Sequence, residues 1–480
     1  MFAPLRRESI GWDDGYEDGD ADEEGCYGLD MLNWVQTAQH RVGHVEKYST
    51  TRSHLGIYLN VGLTARYRRP SGGTVKPRLF GALSILISKH PILSAIPAGV
   101  DTPSPYFVRL PKISLSEVVE CIDENTQPRS SDWRAELDNV LEDQHNRPFE
   151  TLPNQTLPFW RICVLEEHST PTHFTLIFIF HHSLMDTQSA LSFHEELERY
   201  MAQDTGAEVP DMISTPSTPL PPPLEDLHTL PISQDYLRSQ EKQHFPPPDS
   251  WTGAPQSLPV KTRFSSLWLT PAETHNLVNM SKNEQTSVTG ALQTLITTSV
   301  FTVLPSTYRT LQVDCAVSLR RFLPENITAT PLGCYVGSFS MEYRRMTSFS
   351  WSEARRTKAI IEQIIEKKGG DMSVGYLRFI PDLHLWMRQK LGRKRMSAFE
   401  LSNVGRIPAS RGRLQYEIEG MLFSQSASAC SAAIKVSAVT GRDGRLVLGF
   451  TWQEGVVEGD MVEQIIRVLK GEVEGLVVQS

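Results

Sequence analysis

Cysteine is scarce in this chain, and no two of the six stand as a C-x-x-C pair. Cys26, Cys121, Cys163, Cys315, Cys334 and Cys430 are scattered, which excludes the usual zinc spacing and predicts reduced, mostly buried thiols. Long apolar runs are also missing. The strongest, near Phe174 to Phe180, falls far short of the roughly 20 residues that cross a bilayer. No secretory signal is visible, because Met1 to Ile10 holds two arginines but no apolar core, and acidic residues follow. The glycosylation triplets at Asn154 and Asn326 therefore read as chance, and the expected location is cytoplasmic. Positive charge is not in excess either. A net charge of -9 argues against nucleic acid as a partner, and much of the acid is crowded between Asp13 and Glu24.

What is present is enough for two cores. A chain of 480 residues exceeds one ordinary domain. Residues 1–26, rich in acid and glycine, read as a disordered tail. Residues 27–203 read as a first domain, 204–262 as a proline-rich linker or crossover, and 263–480 as a second domain. In the first, Leu55 to Tyr67 alternates like a strand, and the turn Ser71-Gly72-Gly73 leads into a helix over Leu79 to Ile87. Phe159 to Leu165 and Phe174 to Phe180 read as strands, and Thr187 to Met201 as a helix. In the second, Thr270-Pro271-Ala272-Glu273 is a capping box with proline at the first helical position, and Ser287 opens a helix to about Val303. Strands are expected at Leu311 to Leu319 and Tyr335 to Met341, with a hairpin around Arg442-Asp443-Gly444. A last amphipathic helix starts near Asp460. The class is α/β or α+β.

The most informative stretch is His181-His182-Ser183-Leu184-Met185-Asp186, where a buried strand ends and two histidines and an aspartate enter the loop before a helix. Neighbouring residues at a strand end diverge, so one histidine faces a channel and the other does not. An imidazole there can take a proton from a hydroxyl or amine as it attacks a carbonyl. The bland alternative is that one histidine caps the strand and the other is solvated. A metal site is not expected, because adjacent histidines diverge and the spacing is not that of a helical zinc motif. His194 reads as a surface residue.

This segment, with Pro158-Phe159-Trp160-Arg161-Ile162 before it, resembles the condensation-domain superfamily of acyltransferases, and within it the fungal alcohol acetyltransferases. Further matching stretches follow in order: Leu55 to Val61, His90-Pro91-Ile92-Leu93, Leu319 to Pro324, Leu332 to Gly337, Leu401 to Gly405 and Gln425-Ser426. The resemblance implies two chloramphenicol-acetyltransferase-like domains with a tunnel between them. It implies His182 as general base and Asp186 as the second residue of the catalytic motif, turned away to pair with Arg320. It implies that Leu401 to Gly405 lines the channel, with Ser402 or Asn403 donating to an oxyanion and Gly405 beside them; His181, Gln425 and Ser426 are further candidate contacts to substrate or CoA, the last two set against ordinary turn chemistry at a strand end. No bound cofactor is expected; acetyl-CoA, or another acyl-CoA, and a small-molecule acceptor are the partners of a monomer. Thr187 follows the aspartate where a glycine is often found, which leaves the acceptor side open. The basic run Arg388 to Arg395 reads first as a solvated helix end and second as a contact for CoA phosphates.

The leading expectation is O-acetylation of an alcohol or secondary metabolite by direct transfer, since no G-x-S-x-G elbow is present and only Ser183 neighbours the base. N-acylation and a carrier-protein-dependent condensation are the near alternatives. A glycerolipid acyltransferase fits His181 to Asp186 formally but not the remaining segments. A non-catalytic binding protein on the same fold is the alternative of another class.

Overall fold

The computed structural model describes residues 40–478, apart from 71–74, 123–132, 151–156, 167–169, 204–208, 243–244, 329–331, 411 and 413. The acidic tail over 1–26, Cys26, the Ser71-Gly72-Gly73 turn and Asn154 lie outside the described residues.

Two larger sheets are built from β1 (Val61–Arg68), β2 (Val119–Ile122), β3 (Trp160–Glu166), β4 (His173–Phe180), β5 (Thr262–Trp268), β6 (Thr310–Ser318), β7 (Val336–Arg344), β8 (Phe399–Arg406), β9 (Glu417–Gln425), β10 (Ile434–Thr440) and β11 (Leu446–Gln453). The first has the order β9-β1-β4-β3-β2 and the second β5-β11-β10-β8-β6-β7. Both mix parallel and antiparallel pairs, so the class is mixed α/β. β4 lies in the middle of its sheet, and Phe174 to Phe180 are all buried. That is why the strand reads as an uninterrupted apolar run rather than an alternating one.

The helices that bear on the site are α1 (His44–His54), α2 (Val75–Lys89), α3 (Trp133–Asn146), α4 (Thr187–Met201), α5 (Pro271–Asn283), α6 (Val288–Val303) and α7 (Leu383–Arg388). Local chemistry sets several ends. Thr270 and Glu273 form the reciprocal capping box before α5, and Ser287 Oγ accepts from the Gly290 N–H at the start of α6. The stretch Leu55 to Tyr67 is only partly a strand. α1 runs up to it, Gly56 at φ +65° turns the chain, and pairing begins at Val61.

The crossover over 204–262 is not wholly extended, because it carries short helices at Leu224–Leu227 and Gln234–Lys242. A larger departure concerns β9. The sequence division assigns it to the second half, yet it pairs antiparallel with β1 of the first sheet, from Glu417 opposite Arg68 to Gln425 opposite Val61. Its apolar residues Ile418, Met421 and Phe423 join the core of the first half, while Leu422 packs with Phe264 and Val447 of the second. A strand pattern says nothing about which sheet takes it.

Candidate active site

β4 ends at Phe180, and residues 181–186 turn from the sheet into α4. Asp186 is the N-cap of α4. Its Oδ1 accepts from the Ser189 N–H at 3.0 Å and from Arg320 Nη2 at 3.0 Å, while Oδ2 accepts from the Tyr335 N–H at 2.9 Å. Arg320 Nη2 also donates to Ser189 Oγ at 2.6 Å and to the Gly333 carbonyl at 3.1 Å. These bonds stitch the segment 333–335 to the first turn of α4, and both carboxylate oxygens of Asp186 accept from donors. A carboxylate bonded in this way holds its neighbours in place.

The two histidines diverge. His181 is buried among Phe149 and Phe159, and its Nδ1 accepts from the Ser183 N–H at 3.1 Å and meets Ser183 Oγ at 2.7 Å. His182 instead lines a cavity of about 900 Å³ between the sheets, and its ring is partly accessible from it. Tyr58 flanks that ring at 6.1 Å between centroids, and Cys334 Sγ lies 3.6 Å from Nδ1. Nδ1 thus faces Sγ, and among the described residues no hydrogen-bond partner lies on Nε2. Burial, and after it the charge of Arg52, lowers the His182 pKa to about 3, so the ring is neutral around pH 7. Cys334 is held as a thiol, raised well above its ordinary value by burial and then by Asp186.

The other expected contact residues separate into two groups. Ser402, Asn403 and Gln425 line the cavity, as do Asp186 and Gln188. Asn403 is committed locally, donating to Thr289 Oγ1 at 3.0 Å and accepting from the Gly405 N–H at 2.9 Å. Gln425 Oε1 accepts from the Tyr58 hydroxyl at 3.1 Å, and its Nε2 donates to Ser437 Oγ at 3.0 Å. His181, Gly405 and Ser426 do not line the cavity. Ser426 Oγ accepts from the Leu59 and Asn60 N–H groups at 2.9 and 3.2 Å, which ties β9 to β1. Gly405 sits at a bulge in β8 with φ +90°, where a left-handed backbone favours glycine.

Sequence reasoning missed Arg52, Tyr58 and Cys334. Tyr58 stood inside a matched stretch, but Arg52 had no apolar periodicity to mark its helix. His194 is not a surface residue. It is fully buried, with Nδ1 accepting from the Tyr67 hydroxyl at 2.8 Å and Nε2 donating to the Leu63 carbonyl at 2.9 Å. Its neutral tautomer satisfies both nitrogens, so burial costs little.

Four histidines are thus held neutral, His145, His181 and His182 near pKa 3 and His194 near 4, each mainly by burial. The unfolded chain protonates them near their ordinary 6.5, whereas the folded protein does not. Stability is therefore present above that value and lost as pH falls towards the folded values. The expected slope is about 1.4 kcal/mol per pH unit for each linked histidine. Urea unfolding at neutral pH and at one and two units below it reads this directly. An unchanged midpoint would show that the rings titrate freely in the folded protein.

The sequence model of the alcohol acetyltransferase family matches residues 41–473. A probable alcohol acetyltransferase, crmB of Aspergillus fumigatus, is 33% identical over 452 residues, covering 88% of this chain and 96% of the relative. A second, FCK4 of Fusarium pseudograminearum, is 24% identical and covers 86% of this chain and 91% of its own length. Among solved structures, the TRI3 trichothecene 15-O-acetyltransferase of Fusarium sporotrichioides superposes with a TM-score of 0.68 at 14% identity, over 91% of this chain and 95% of that one. The first condensation domain of the CDA synthetase gives 0.60 at 14% identity, over 91% and 96%. The chain belongs to the alcohol acetyltransferase family and is an acyltransferase on a condensation-domain-like fold.

Proposed function

We propose that the protein transfers an acetyl group from acetyl-CoA directly to a hydroxyl of a small alcohol or secondary metabolite, with His182 as general base. The observation that carries the reading is a neutral, partly accessible imidazole on the wall of a large cavity, held on its Nδ1 side and open at Nε2. In this scheme the acceptor hydroxyl gives its proton to Nε2 as its oxygen attacks the thioester carbonyl. The C–S bond then breaks and CoA leaves as the thiol, taking the proton back. Ser402, a cavity-lining hydroxyl on β8, is the proposed donor to the oxyanion, since Asn403 is already bonded. Lys390, Arg393 and Lys394 line the same cavity and suit the phosphates of CoA. Lys390 is not simply solvated, because its Nζ lies 3.3 Å from the centroid of the Trp386 ring.

Direct transfer is favoured by the state of the nearby nucleophiles. Ser183 is bonded to His181, not His182, and Cys334 is a buried thiol that does not line the cavity. Purified protein with acetyl-CoA and a panel of alcohols and amines should yield acetyl esters by mass spectrometry. Initial rates should give intersecting double-reciprocal lines, as a ternary complex requires. Parallel lines, or an acetyl group on Cys334 or Ser183 after incubation with acetyl-CoA alone, would overturn direct transfer.

A further inference from the structure

Among the described residues, Arg52 is a buried cation without a paired carboxylate. It sits on α1, only 9% exposed, and lines the cavity that holds His182. Its guanidinium carbon lies 4.9 Å from the Tyr48 ring centroid and 4.0 Å from that of Tyr58, the ring that also packs on His182. Nη2 reaches Ser49 Oγ only at 3.4 Å, and Nε is buried with no partner. Among the described residues no carboxylate comes within ion-pair distance of it. Lys435, on the chamber wall, has Glu400 at 3.0 Å, and Arg320, which is not part of the lining, has Asp186 at the same distance; Lys390, Arg393 and Lys394 on the wall are the cations already assigned to the CoA phosphates. Arg395, still more deeply buried, is taken up by the Ala429 carbonyl and Gln453 Oε1.

An arginine cannot escape burial by losing its proton, so an unpaired one is costly to keep. That cost is offset when a ligand supplies the anion, and a planar fork of N–H donors matches a carboxylate. The anion is not the diphosphate of CoA. Arg52 and His182 share one ring, whereas the thioester that must reach His182 is separated from the phosphates by the whole pantetheine arm. An acetyl group carries no charge, which leaves the acceptor. Resting on the acetyl-transfer reading above, we propose that Arg52 forms a carboxylate-binding subsite in the reaction chamber and that the acceptor alcohol is a hydroxy acid. A bound carboxylate would also offset the charge that opposes protonation of His182, making the base stronger when the right acceptor is present.

The test uses para-hydroxymethylbenzoate and its neutral match, para-hydroxymethylbenzamide, with wild type, Arg52→Gln and Arg52→Lys. Calorimetric binding is measured without donor, and kcat/KM with acetyl-CoA. Wild type should favour the acid by about 10–100-fold, the range of a charged hydrogen bond. Arg52→Gln should bring the acid-to-amide ratio close to one, mainly through KM, and Arg52→Lys should keep part of it. No preference in wild type would overturn the proposal. So would a loss in Arg52→Gln that is equal for both probes, since that marks a structural or transition-state role. If Arg52→Gln does not fold, the wild-type ratio and its change in Arg52→Lys decide. Acid binding that depends on Arg52 with no acetylation of either probe would keep the anion subsite and sink the acetyl-transfer reading. A parallel arm with succinyl-CoA completes the set: Arg52-dependent preference for that donor, with none for the benzoate, would move the carboxylate to the acyl group and overturn the acceptor assignment.

Discussion

Replacing His182 by alanine is expected to lower kcat by about 10²–10⁴-fold, the usual contribution of a positioned general base. The fold should survive, because the ring contributes contacts to Tyr58 and Cys334 but anchors no backbone group of another element. KM should change little, since the proton is moved only as the bond forms. A second readout separates a base from a merely structural ring. Burial and Arg52 keep His182 neutral well below the ordinary histidine value of 6.5, so wild-type kcat should not decline through that pH on its account. Folded His182→Ala protein with turnover near wild type would refute the base assignment. A kcat profile of the wild type with its acid limb near 6.5 would instead place the ring in a more open, hydrated setting.

Elements whose signal is local are legible in the sequence. The capping box at Thr270, the cap at Ser287 and the hairpin at Arg442-Asp443-Gly444 need only a few neighbouring residues to specify them, and the structure has each. The same holds for the strand end that delivers His182. Elements whose signal lies in their surroundings were not legible. α1, HVEKYSTTRSH, buries Glu46, Ser49, Thr50, Thr51 and Arg52 but only one apolar residue, Val45. Its inward face is polar because part of it borders the cavity, so hydrophobic periodicity cannot reveal it. The basic run ending at Arg395 read as solvated, and Arg393 and Lys394 are exposed. Arg395 is buried all the same, because a carbonyl and a glutamine side chain from distant segments receive it. The burial of His194 is illegible for the same reason, its two partners being 127 and 131 residues away. The strand exchange of β9 is the largest case, since register and sheet membership depend on the whole assembly.

Asp186 offers the second large effect, and here the loss should appear in stability as well as in rate. Its side chain is 6% exposed and that of Arg320 17%, so the pair is mostly out of water. Three residues converge on its carboxylate: Ser189 through its N–H and hydroxyl, Arg320 through its guanidinium and Tyr335 through its N–H. Asparagine keeps the shape but turns one acceptor into a donor, which must then face an N–H or the guanidinium. Arg320 Nη1 is already buried without a partner, and among the described residues Asp186 is the carboxylate paired with the cation. Breaking one side of such a pair costs about 3–5 kcal/mol. Asp186→Asn is therefore expected to lower the unfolding free energy by that order. It should also depress kcat, because the 333–335 segment that sets Cys334 against His182 loses its tether. Arg320→Ala should reproduce much of the loss, and the double variant should cost less than the two single variants added together. Additive losses in urea unfolding would show that the two residues act independently. Full stability of Asp186→Asn would show that the network around Gly333 holds without the charge, leaving Asp186 as an ordinary helix cap worth about 1 kcal/mol.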